Sequence, residues 1–492
     1  MSAKLVKCVR QALHVLEDSS PLQLKHIPTM GFESPILSYL DAFRYFTNSK
    51  TLVDETVAKF PNKIVKVPDF SKWKVVVSEA NAIQELGSIS EHVLSSLDAV
   101  SEFLQTFYTF GPGVKRSPYH IPIIRSQLTR ALPKLVPEVH DEVVSAFNDL
   151  VVLPNDFEWK TITALGTMTT VVCRATNRTI VGLPLCRNPD YLELTTQFAA
   201  DVVTMSSILR LVPPFLRPII NRLFSKLPQR LQRGMKHLKP IIDSRKEEQE
   251  KIGNGYEKPL DFLTWLMEAA QGEEQTLENL TRRIFVVNFA AIHTSSMSFV
   301  HALFYLAALP EYIGPLRAEV EEVIEREGWT KEALDQMHKV DSFIKESQRK
   351  TSLVTLAMER IAREDYTFAD GTRIPQGTTV GVNLAQAHHD PETYENPKQF
   401  DGFRFAKMRL QQDSKKYDIV STSPEFFTFG YGRHACPGRY FAACELKIML
   451  AHTVLNYDVK MENEGVRPPD VWWASWCLPN PKGKVMFRKR AT

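Results

Sequence analysis

The spacing of hydrophobic and polar residues divides the chain into a strand-rich beginning, a long helical middle and a mixed end. Between residues 51 and 86, the segments KIVKVPDF and WKVVVS are apolar and rich in β-branched residues, which is typical of short strands. From Ser90 to Leu309, apolar residues recur at intervals of three and four, which predicts helices. Strand-like segments return after Ser352, and one more helix is expected after Cys436. The pattern predicts a mainly α-helical protein with small β-sheets.

Two segments interrupt the helical middle. Residues 245–259 (RKEEQEKIGNGYEKP) are charged and contain glycine, so we expect a surface loop there rather than a domain linker. Residues 212–228 combine prolines and apolar residues with three basic ones, Arg217, Arg222 and Lys226. We therefore interpret residues 28–492 as a single domain that follows an N-terminal segment, residues 1–27.

Two segments bear on membrane association. Residues 1–27 carry charged residues among the apolar ones, so we expect neither a signal peptide nor an anchor there. Their apolar positions favour an amphipathic helix that packs on the protein, or alternatively lies on a membrane surface. Residues 284–309 contain no Asp, Glu, Lys or Arg and imitate a transmembrane helix. Polar residues at the centre of that segment favour a helix buried inside the protein instead.

Charge and cysteine content exclude several classes of protein. Lys and Arg together number 60 and Asp and Glu 57, and this balance argues against dedicated nucleic-acid binding. The six cysteines include no C-x-x-C pair, which argues against a disulfide framework and against a four-thiolate zinc site. A reducing, cytosol-facing compartment is the expectation that follows.

The segment FFTFGYGRHACPGRYFAA, residues 426–443, contains a candidate site for a reactive or metal-binding thiolate. Cys436 is followed by Pro437 and a run of helix-forming residues, which places its sulfur at a helix start. Free backbone amides and the helix dipole favour a negative sulfur there. Phe429 is positioned to shield that sulfur from water. Three glycines allow tight turns and a close approach to a flat ligand, namely Gly430, Gly432 and Gly438.

These residues resemble the haem-binding loop of the cytochrome P450 superfamily, whose pattern is F-x-x-G-x-R/H-x-C-x-G. Its fixed positions are present as Phe429, Gly432, His434, Cys436 and Gly438. The resemblance covers residues 28–488, and it is closest to fungal microsomal members. It implies the cytochrome P450 fold, with a long helix over the haem, and a haem iron whose metal ligand is the Cys436 thiolate.

The resemblance assigns roles to residues elsewhere in the chain. An E-x-x-R motif at Glu346 and Arg349, with Arg404 as its partner, implies a buried structural network; the alternative for an isolated E-x-x-R is a surface ion pair. Further residues are implied to bind the haem propionates, namely Arg360 and His434, with His120 and Arg125 as additional candidates. The aromatic residue that the family usually has before the arginine is absent at Ile121.

The oxygen-activating motif of the family appears in altered form at Ala290 to Thr294. A threonine hydroxyl can bond the carbonyl of the preceding turn and open a groove beside the helix. The resemblance implies that Thr294 takes part in oxygen activation and in proton delivery. The residue before it is usually Asp or Glu, but here it is His293. His293 relays protons in one interpretation, and in the other it reshapes the pocket or faces away.

The resemblance implies a monooxygenase that inserts one atom of O2 into an apolar small molecule, such as a terpenoid or polyketide of fungal secondary metabolism. It further implies a separate NADPH–cytochrome P450 reductase and peripheral attachment to the cytosolic face of the endoplasmic reticulum. Desaturation or oxidative rearrangement is the alternative within this enzyme class. A haem-based sensor and a zinc hydrolase are weaker alternatives.

Two sets of residues are candidates for contacts with these partners. Basic residues near the cysteine are expected to dock the reductase, or to be an ordinary solvated surface: Lys407, Arg409, Lys415, Lys416, Arg433, Arg439 and Lys447. Apolar residues are expected to line the substrate pocket, or to be core: Phe103, Phe107, Phe110, Phe289, Ala290, residues 353–356, Trp472, Trp473 and Trp476.

Overall fold

A computed structural model gives the fold of the chain. It describes residues 23–29, 32, 38–61, 63–69, 72–151, 153, 158–412 and 415–490. Most of the N-terminal segment 1–27, in which an amphipathic helix is expected, lies outside these residues.

Helices make up most of the described part of the chain. They are α1 (Ser38–Lys59), α2 (Ala80–Ser88), α3 (Ser96–Leu104), α4 (Thr106–Thr109), α5 (Gly113–Arg116), α6 (His120–Ile123), α7 (Thr129–Leu150), α8 (Ala164–Ile180), α9 (Pro189–Leu211), α10 (Arg217–Phe224), α11 (Leu227–Ile252), α12 (Phe262–Ala269), α13 (Leu277–Ala308), α14 (Ile313–Glu327), α15 (Lys331–Gln336), α16 (His338–Lys350), α17 (Leu384–His388), α18 (Arg404–Gln412) and α19 (Arg439–Asn456). A π-helical turn, Ile124–Leu128, joins α6 to α7.

The strands form four small sheets. They are β1 (Val65–Asp69), β2 (Lys72–Val77), β3 (Leu94–Ser95), β4 (Lys160–Thr163), β5 (Leu356–Ala362), β6 (Tyr366–Thr367), β7 (Arg373–Ile374), β8 (Thr379–Asn383), β9 (Tyr457–Met461), β10 (Val471–Trp473), β11 (Trp476–Leu478) and β12 (Lys484–Lys489). The largest sheet has the order β1-β2-β8-β5-β3, with only β2 and β8 parallel. The remaining sheets are β4-β12-β9 and the pairs β10-β11 and β6-β7.

Helix α13 runs through the centre of the molecule. It packs against α8, α9, α11, α16 and α19, and most of its apolar side chains are buried. Among the described residues it is the one helix long and apolar enough to cross a membrane, but 67% of its most apolar window is buried inside the protein. The expectation of a buried helix at residues 284–309 agrees with this packing, because the surrounding helices already cover its apolar surface.

The fold confirms the predicted class, and it corrects three local predictions. Helix α11 continues to Ile252, so only the second half of residues 245–259 is a loop. The charged residues of the first half lie on the exposed end of α11. The second break contains the exposed helix α10. Helix α19 begins at Arg439, so Pro437 precedes the helix instead of starting it.

Candidate active site

The loop before α19 encloses the sulfur of Cys436. The backbone N–H of Cys436 donates to the carbonyl of Phe429 at 2.7 Å, which closes the loop on itself. The backbone N–H groups of Gly438 and Arg439 point at the sulfur. Burial raises the pKa of the thiol, and these two amides and the Arg439 charge act against that rise. A metal ion bound at the sulfur supplies the positive charge that stabilises a thiolate in such a buried place.

Backbone geometry explains the glycine at position 432. Its φ of +73° is unfavourable for a residue with a side chain, and an added Cβ would lie 2.1 Å from the carbonyl oxygen of Gly87. The loop therefore packs directly on the end of α2. Gly438 differs, because the nearest atom to an added Cβ is in Ile124 at 3.7 Å, an ordinary contact.

Two basic side chains beside this loop, the buried Arg360 and the half-buried His434, each have a ring or guanidinium nitrogen without a hydrogen-bond partner among the described residues. Arg360, on β5, is 4% exposed, and its Nε has no hydrogen-bond partner among the described residues. His434 Nε2 is likewise without one, and His434 Nδ1 contacts the Ser96 hydroxyl at 3.3 Å. Burial lowers the pKa of Arg360 to about 10, against the effect of Glu91. Buried donors of this kind require an acceptor. The propionate carboxylates of a haem are suitable acceptors for the donors of Arg360 and His434. The flat ring of a haem also suits the glycine-containing loop.

The other two candidates for propionate binding lie in different surroundings. Arg125, in the π-helical turn, is exposed and donates to the carbonyl of Arg433 at 3.5 Å, so it lies beside the cysteine loop. His120 is buried against the guanidinium of Arg283, with 3.4 Å between its Nδ1 and Nη1. Burial, and then the Arg283 charge, lower the pKa of His120 to about 4. The structure thus brings Arg125, but not His120, into contact with the loop.

Glu346, Arg349 and Arg404 form one buried network. Arg349 donates to the Glu346 carboxylate at 2.7 and 2.8 Å, and Arg404 Nε reaches both oxygens of the same carboxylate. Arg349 also donates to the carbonyls of His388 and Pro397, at 2.6 and 2.9 Å. The side chains of Glu346 and Arg349 are completely buried. The network ties α16 to the irregular segment that leads to the cysteine loop.

An open space lies beside the middle of α13. Ala290 is exposed, and Ala291 and Thr294 are half-buried, although most of the residues around them in this helix are buried. The Thr294 hydroxyl donates to the carbonyl of Ala290 at 2.7 Å, the local bond that the motif predicts. Phe289 and Phe110 meet edge to face at 5.3 Å between ring centroids. Their contact makes part of the wall apolar.

His293 points away from that space toward α9. Its Nε2 lies 3.4 Å from the carbonyl oxygen of Thr196. Burial lowers the pKa of His293, so the ring is neutral at neutral pH. A neutral ring in this position can donate to the Thr196 carbonyl and so link α13 to α9.

The remaining candidates for the substrate pocket divide by exposure. Phe103 and Trp476 lie 5.9 Å apart between ring centroids, and Arg210 of α9 lies over the Phe103 ring. Phe107 is 62% exposed and Trp473 is 50% exposed. These two residues lie on the surface instead of against a closed cavity.

Most of the basic residues expected to dock a partner are accessible. Lys407, Lys415, Lys416 and Arg433 are exposed, and Arg409 and Arg439 are half-buried. Lys447 is an exception and corrects the prediction. It is buried, donates to the carbonyl of Leu334 and pairs with Asp341 at 2.7 Å. Its place two turns into α19 turns it toward the core.

Two acidic residues of this region were not predicted. Glu91 accepts hydrogen bonds from the backbone of Ser96 and Leu97, and its Oε2 lies 3.5 Å from His434 Nε2 without a hydrogen bond between them. The available signal was an acid four residues before Ser95, the residue that caps α3. Glu445 is a buried carboxyl group within α19. The signal was a lone acid in an apolar helix.

A second group of metal-ligand type does not fit a metal ion. Ligand atoms of His301, Asp470 and Cys477 lie within 4.8 Å of one another. The guanidinium of Arg467 donates to His301 at 2.9 Å and to Asp470 at 2.7 Å. A cation already occupies the position between these ligands, so the group is an ion-pair cluster.

Comparisons with known proteins agree with this site. The family model described as Cytochrome P450 matches residues 53–487. Cytochrome P450 monooxygenase 151 of Postia placenta is 45% identical over 473 residues, covering 95% of each chain. The ent-kaurene oxidase of Gibberella intermedia is 31% identical, covering 97% of this chain and 90% of its own. Both are similar to this chain along nearly its whole length.

Among solved structures, retinoic acid-bound cyanobacterial CYP120A1 has a similar fold. The TM-score is 0.69 at 20% identity, over 94% of this chain and 99% of that chain. At this identity the likeness concerns the fold alone.

Proposed function

Since the chain belongs to the cytochrome P450 family and is a haem-thiolate monooxygenase, we propose that it hydroxylates a bulky apolar molecule of fungal secondary metabolism. The observation that supports this proposal is the open space beside Ala290 and Thr294, with the apolar wall of Phe110 and Phe289. Terpenoids and polyketides are bulky apolar molecules, so they suit an apolar wall of this kind. A fungal relative named ent-kaurene oxidase covers nearly the whole chain.

Residues of the cysteine loop and of the neighbouring elements would hold the haem together. Cys436 would supply the thiolate ligand of the haem iron, and Arg360 and His434 would supply hydrogen-bond donors to its propionates, with Arg125 beside the same loop. When bound, the haem supplies the chemistry that activates O2 and inserts one oxygen atom into a C–H bond. The protein orients the substrate, and its apolar wall excludes water from the reacting carbon.

Thr294 has the proton-handling role in this proposal. Its hydroxyl donates to the Ala290 carbonyl, which leaves the oxygen lone pairs free to accept from a water in the open space. A water held there is positioned to deliver a proton where oxygen reacts. The hydrogen bond also fixes the rotamer of Thr294, so that the water site is preformed.

A pair of cysteine variants tests the haem assignment. We expect Cys436→Ala to lose the thiolate-type absorption spectrum of the reduced, CO-bound protein. Cys444→Ala is the matched control, because Cys444 is buried within α19 and faces the core. Retention of that spectrum in Cys436→Ala contradicts the assignment.

The substrate is tested by absorption shifts of the purified protein against a panel of terpenoids and polyketides, followed by product analysis with NADPH. A hydroxylated product supports the proposal. A product with a new double bond or a rearranged skeleton and no added oxygen establishes the desaturation or rearrangement alternative instead.

The electron donor in this proposal is NADPH–cytochrome P450 reductase. The exposed basic residues Lys407, Lys415, Lys416 and Arg433 offer it a positive surface near the cysteine loop. Changing all four to Gln is expected to slow reduction by the reductase and to remove its dependence on salt. Reduction by dithionite should not change, which separates docking from haem damage.

For location we propose peripheral attachment to the cytosolic face of the endoplasmic reticulum. Helix α10 and the turn before it expose Phe215, Ile219, Leu223 and Phe224, between 56% and 69%. Arg217, Arg222 and Lys226 accompany them and suit an anionic lipid surface. Replacing Phe215, Ile219 and Phe224 by Ser is expected to release the protein from vesicles that contain phosphatidylserine. Unchanged binding contradicts this surface.

A further inference from the structure

Two consecutive arginines near the start of α13 reach across to the segment that carries Phe110. Arg282 donates from Nη1 to the Phe110 carbonyl at 2.6 Å. Arg283 donates to the carbonyls of Gly113 and Val114, at 3.0 and 3.2 Å. This segment is therefore tied at both ends to a helix that lies about 170 residues away in the sequence.

The chain before Phe110 cannot fix the position of that ring by itself. Helix α4 has only four residues, and an isolated helix of this length is not stable. Gln105 precedes α4 and Gly111 follows Phe110, and both have left-handed backbones, with φ of +51° and +99°. The position of Phe110 therefore depends on contacts with other parts of the fold.

The backbone at Gly111 leaves room for the Arg282 guanidinium. A Cβ added to Gly111 would lie 2.0 Å from Arg282 Nη1, and the φ of Gly111 is unfavourable for a residue with a side chain. The guanidinium thus packs on bare backbone while it donates to the carbonyl of the preceding residue. Its side chain is mostly buried, and a hydrogen bond from a charged donor is stronger than one from a neutral donor.

The ring held in this way is part of the wall of the open space beside Ala290. Phe110 is buried and contacts Phe289 of α13 at 5.3 Å and Phe198 of α9 at 5.8 Å between ring centroids. Arg282 and Phe289 are seven residues apart, so they share one face of α13. The same helix face therefore provides the donor that holds the segment and the ring that meets Phe110.

We propose that Arg282 is a positioning residue that determines the width of the substrate space, and hence which bulky apolar molecules fit, by holding Phe110 against Phe289. This inference rests on the proposed function and deepens it. Arg282 acts through the Phe110 ring, and no contact between its guanidinium and the substrate is implied.

The charge of Arg282 is compensated on its own helix. Glu278, four residues earlier on α13, accepts from Arg282 Nη2, and its side chain is exposed. The two terminal nitrogens of the guanidinium are thus occupied by the Phe110 carbonyl and by the Glu278 carboxylate. The guanidinium is therefore not an anchor for an anionic substrate, and its effect on substrate choice is steric.

The variant Arg282→Met tests the proposal, because it keeps an apolar stem and removes the donor to Phe110. The probes are clotrimazole and imidazole, whose dissociation constants are measured from absorption shifts of the haem protein. We expect clotrimazole to bind about fivefold more weakly, since an unfixed ring must be ordered when a bulky ligand binds. Imidazole is small enough to bind without the Phe110 ring, so its affinity should change by less than about twofold. An unchanged ratio of the two dissociation constants overturns the proposal.

The matched control is Glu278→Gln, which removes the ion pair but keeps the donor to the Phe110 carbonyl. Its ratio of dissociation constants should equal that of wild type. Arg282→Lys retains one cationic donor and is expected to restore part of the clotrimazole affinity. If Glu278→Gln changes the ratio as much as Arg282→Met does, the ion pair and not the hold on Phe110 is responsible, and the proposal is wrong.

A double variant shows whether Arg282 acts through Phe110. Phe110→Leu replaces the ring by a smaller apolar side chain. The effect of Arg282→Met on the ratio should largely disappear in this background, because two residues that act as one unit are not additive. Fully additive effects overturn the proposal.

Hydrogen exchange of backbone amides gives a readout that needs no ligand. Peptides that cover residues 106–114 are expected to exchange faster in Arg282→Met than in wild type or in Glu278→Gln, since this segment loses one of its ties to α13. Equal exchange in the three proteins contradicts the hold on Phe110. If wild type itself shows neither a thiolate-type CO spectrum nor an azole shift, the proposed function fails, and the exchange rates still decide whether Arg282 holds the segment.

Gly111→Ala replaces Arg282→Met if that variant does not retain haem. The added Cβ displaces the guanidinium from the backbone, so the ratio of the clotrimazole and imidazole dissociation constants is expected to change in the same direction. A ratio equal to that of wild type overturns the proposal.

Discussion

The Arg404 guanidinium lies within hydrogen-bond distance of both oxygens of the Glu346 carboxylate, at 3.3 and 3.2 Å from Nε. Arg349 donates to the same two oxygens at 2.7 and 2.8 Å. Both arginines also donate to carbonyls of the irregular segment, Arg404 to that of Glu395 at 2.5 Å. One buried carboxylate therefore organises the chain that leads to the cysteine loop.

Loss of this carboxylate is expected to be severe. Glu346→Ala leaves two buried guanidinium groups without their anion, and breaking such a pair costs about 3–5 kcal/mol of unfolding free energy. We expect little folded haem protein, measured as the CO spectrum per mole of purified chain. Asp98→Ala is the control, because Asp98 pairs with the more exposed Arg363. Equal haem content in the two variants contradicts the role of the network.

Thr294 and His293 are expected to behave differently when each is changed. Thr294→Ala should bind haem and substrate but consume NADPH without matching product, and hydrogen peroxide should accumulate. His293→Gln retains a donor toward Thr196 and should change turnover by less than about threefold, far below the effect of a general acid. NADPH, product and peroxide measured together check both. Coupled turnover in Thr294→Ala is the result that most damages the assignment.

Arg210 at the end of α9 holds the helix to the large sheet. It donates to Asp69 on β1 at 2.6 Å and covers the Phe103 ring at 4.9 Å. Arg210→Met is expected to free this end of α9 and to speed the entry of an apolar azole several-fold, observed by stopped-flow absorption. Arg233→Met removes a more exposed pair with Asp190 and serves as the control. An unchanged entry rate means that α9 does not gate the pocket.

Stability above neutral pH is expected to depend on Lys345. Burial lowers its pKa from 10.5 to about 7, with Asp341 and Asp418 acting against that shift. Between these two values the unfolded chain binds more protons than the folded one, so the free energy of unfolding rises with pH. Below about pH 7 both states are protonated and the full penalty remains.

The measurement is the urea midpoint at pH 7 and at pH 9. Wild type is expected to gain more stability across this interval than Lys345→Met, in which the buried amine is absent. Lys345 also donates to the carbonyls of Tyr417 and Asp418, so the variant loses two hydrogen bonds at both values of pH. If Lys345→Met and wild type gain equal stability between pH 7 and pH 9, the inference that the buried Lys345 amine loses its proton in this interval is wrong.

The sequence by itself determined the class of fold and the cysteine site. Periodicity marks helices such as α13 because one chain segment buries a continuous face. The spacing around Cys436 is informative because all its residues lie in one short loop, where tight turns and sulfur position depend on neighbours in sequence. The E-x-x-R pair is visible for the same reason: residues three apart share a helix face.

Only the tertiary structure decided which distant groups meet. The orientation of His293 toward Thr196 depends on how α9 lies beside α13, and that of His120 toward Arg283 depends on how α6 lies beside α13. No local spacing encodes these placements. Lys447 resembles its basic neighbours in sequence but is buried against Asp341. Burial in the folded protein raises the pKa of Glu445 to about 7. The sequence does not reveal this shift, because desolvation is a property of the folded surroundings and not of the residue.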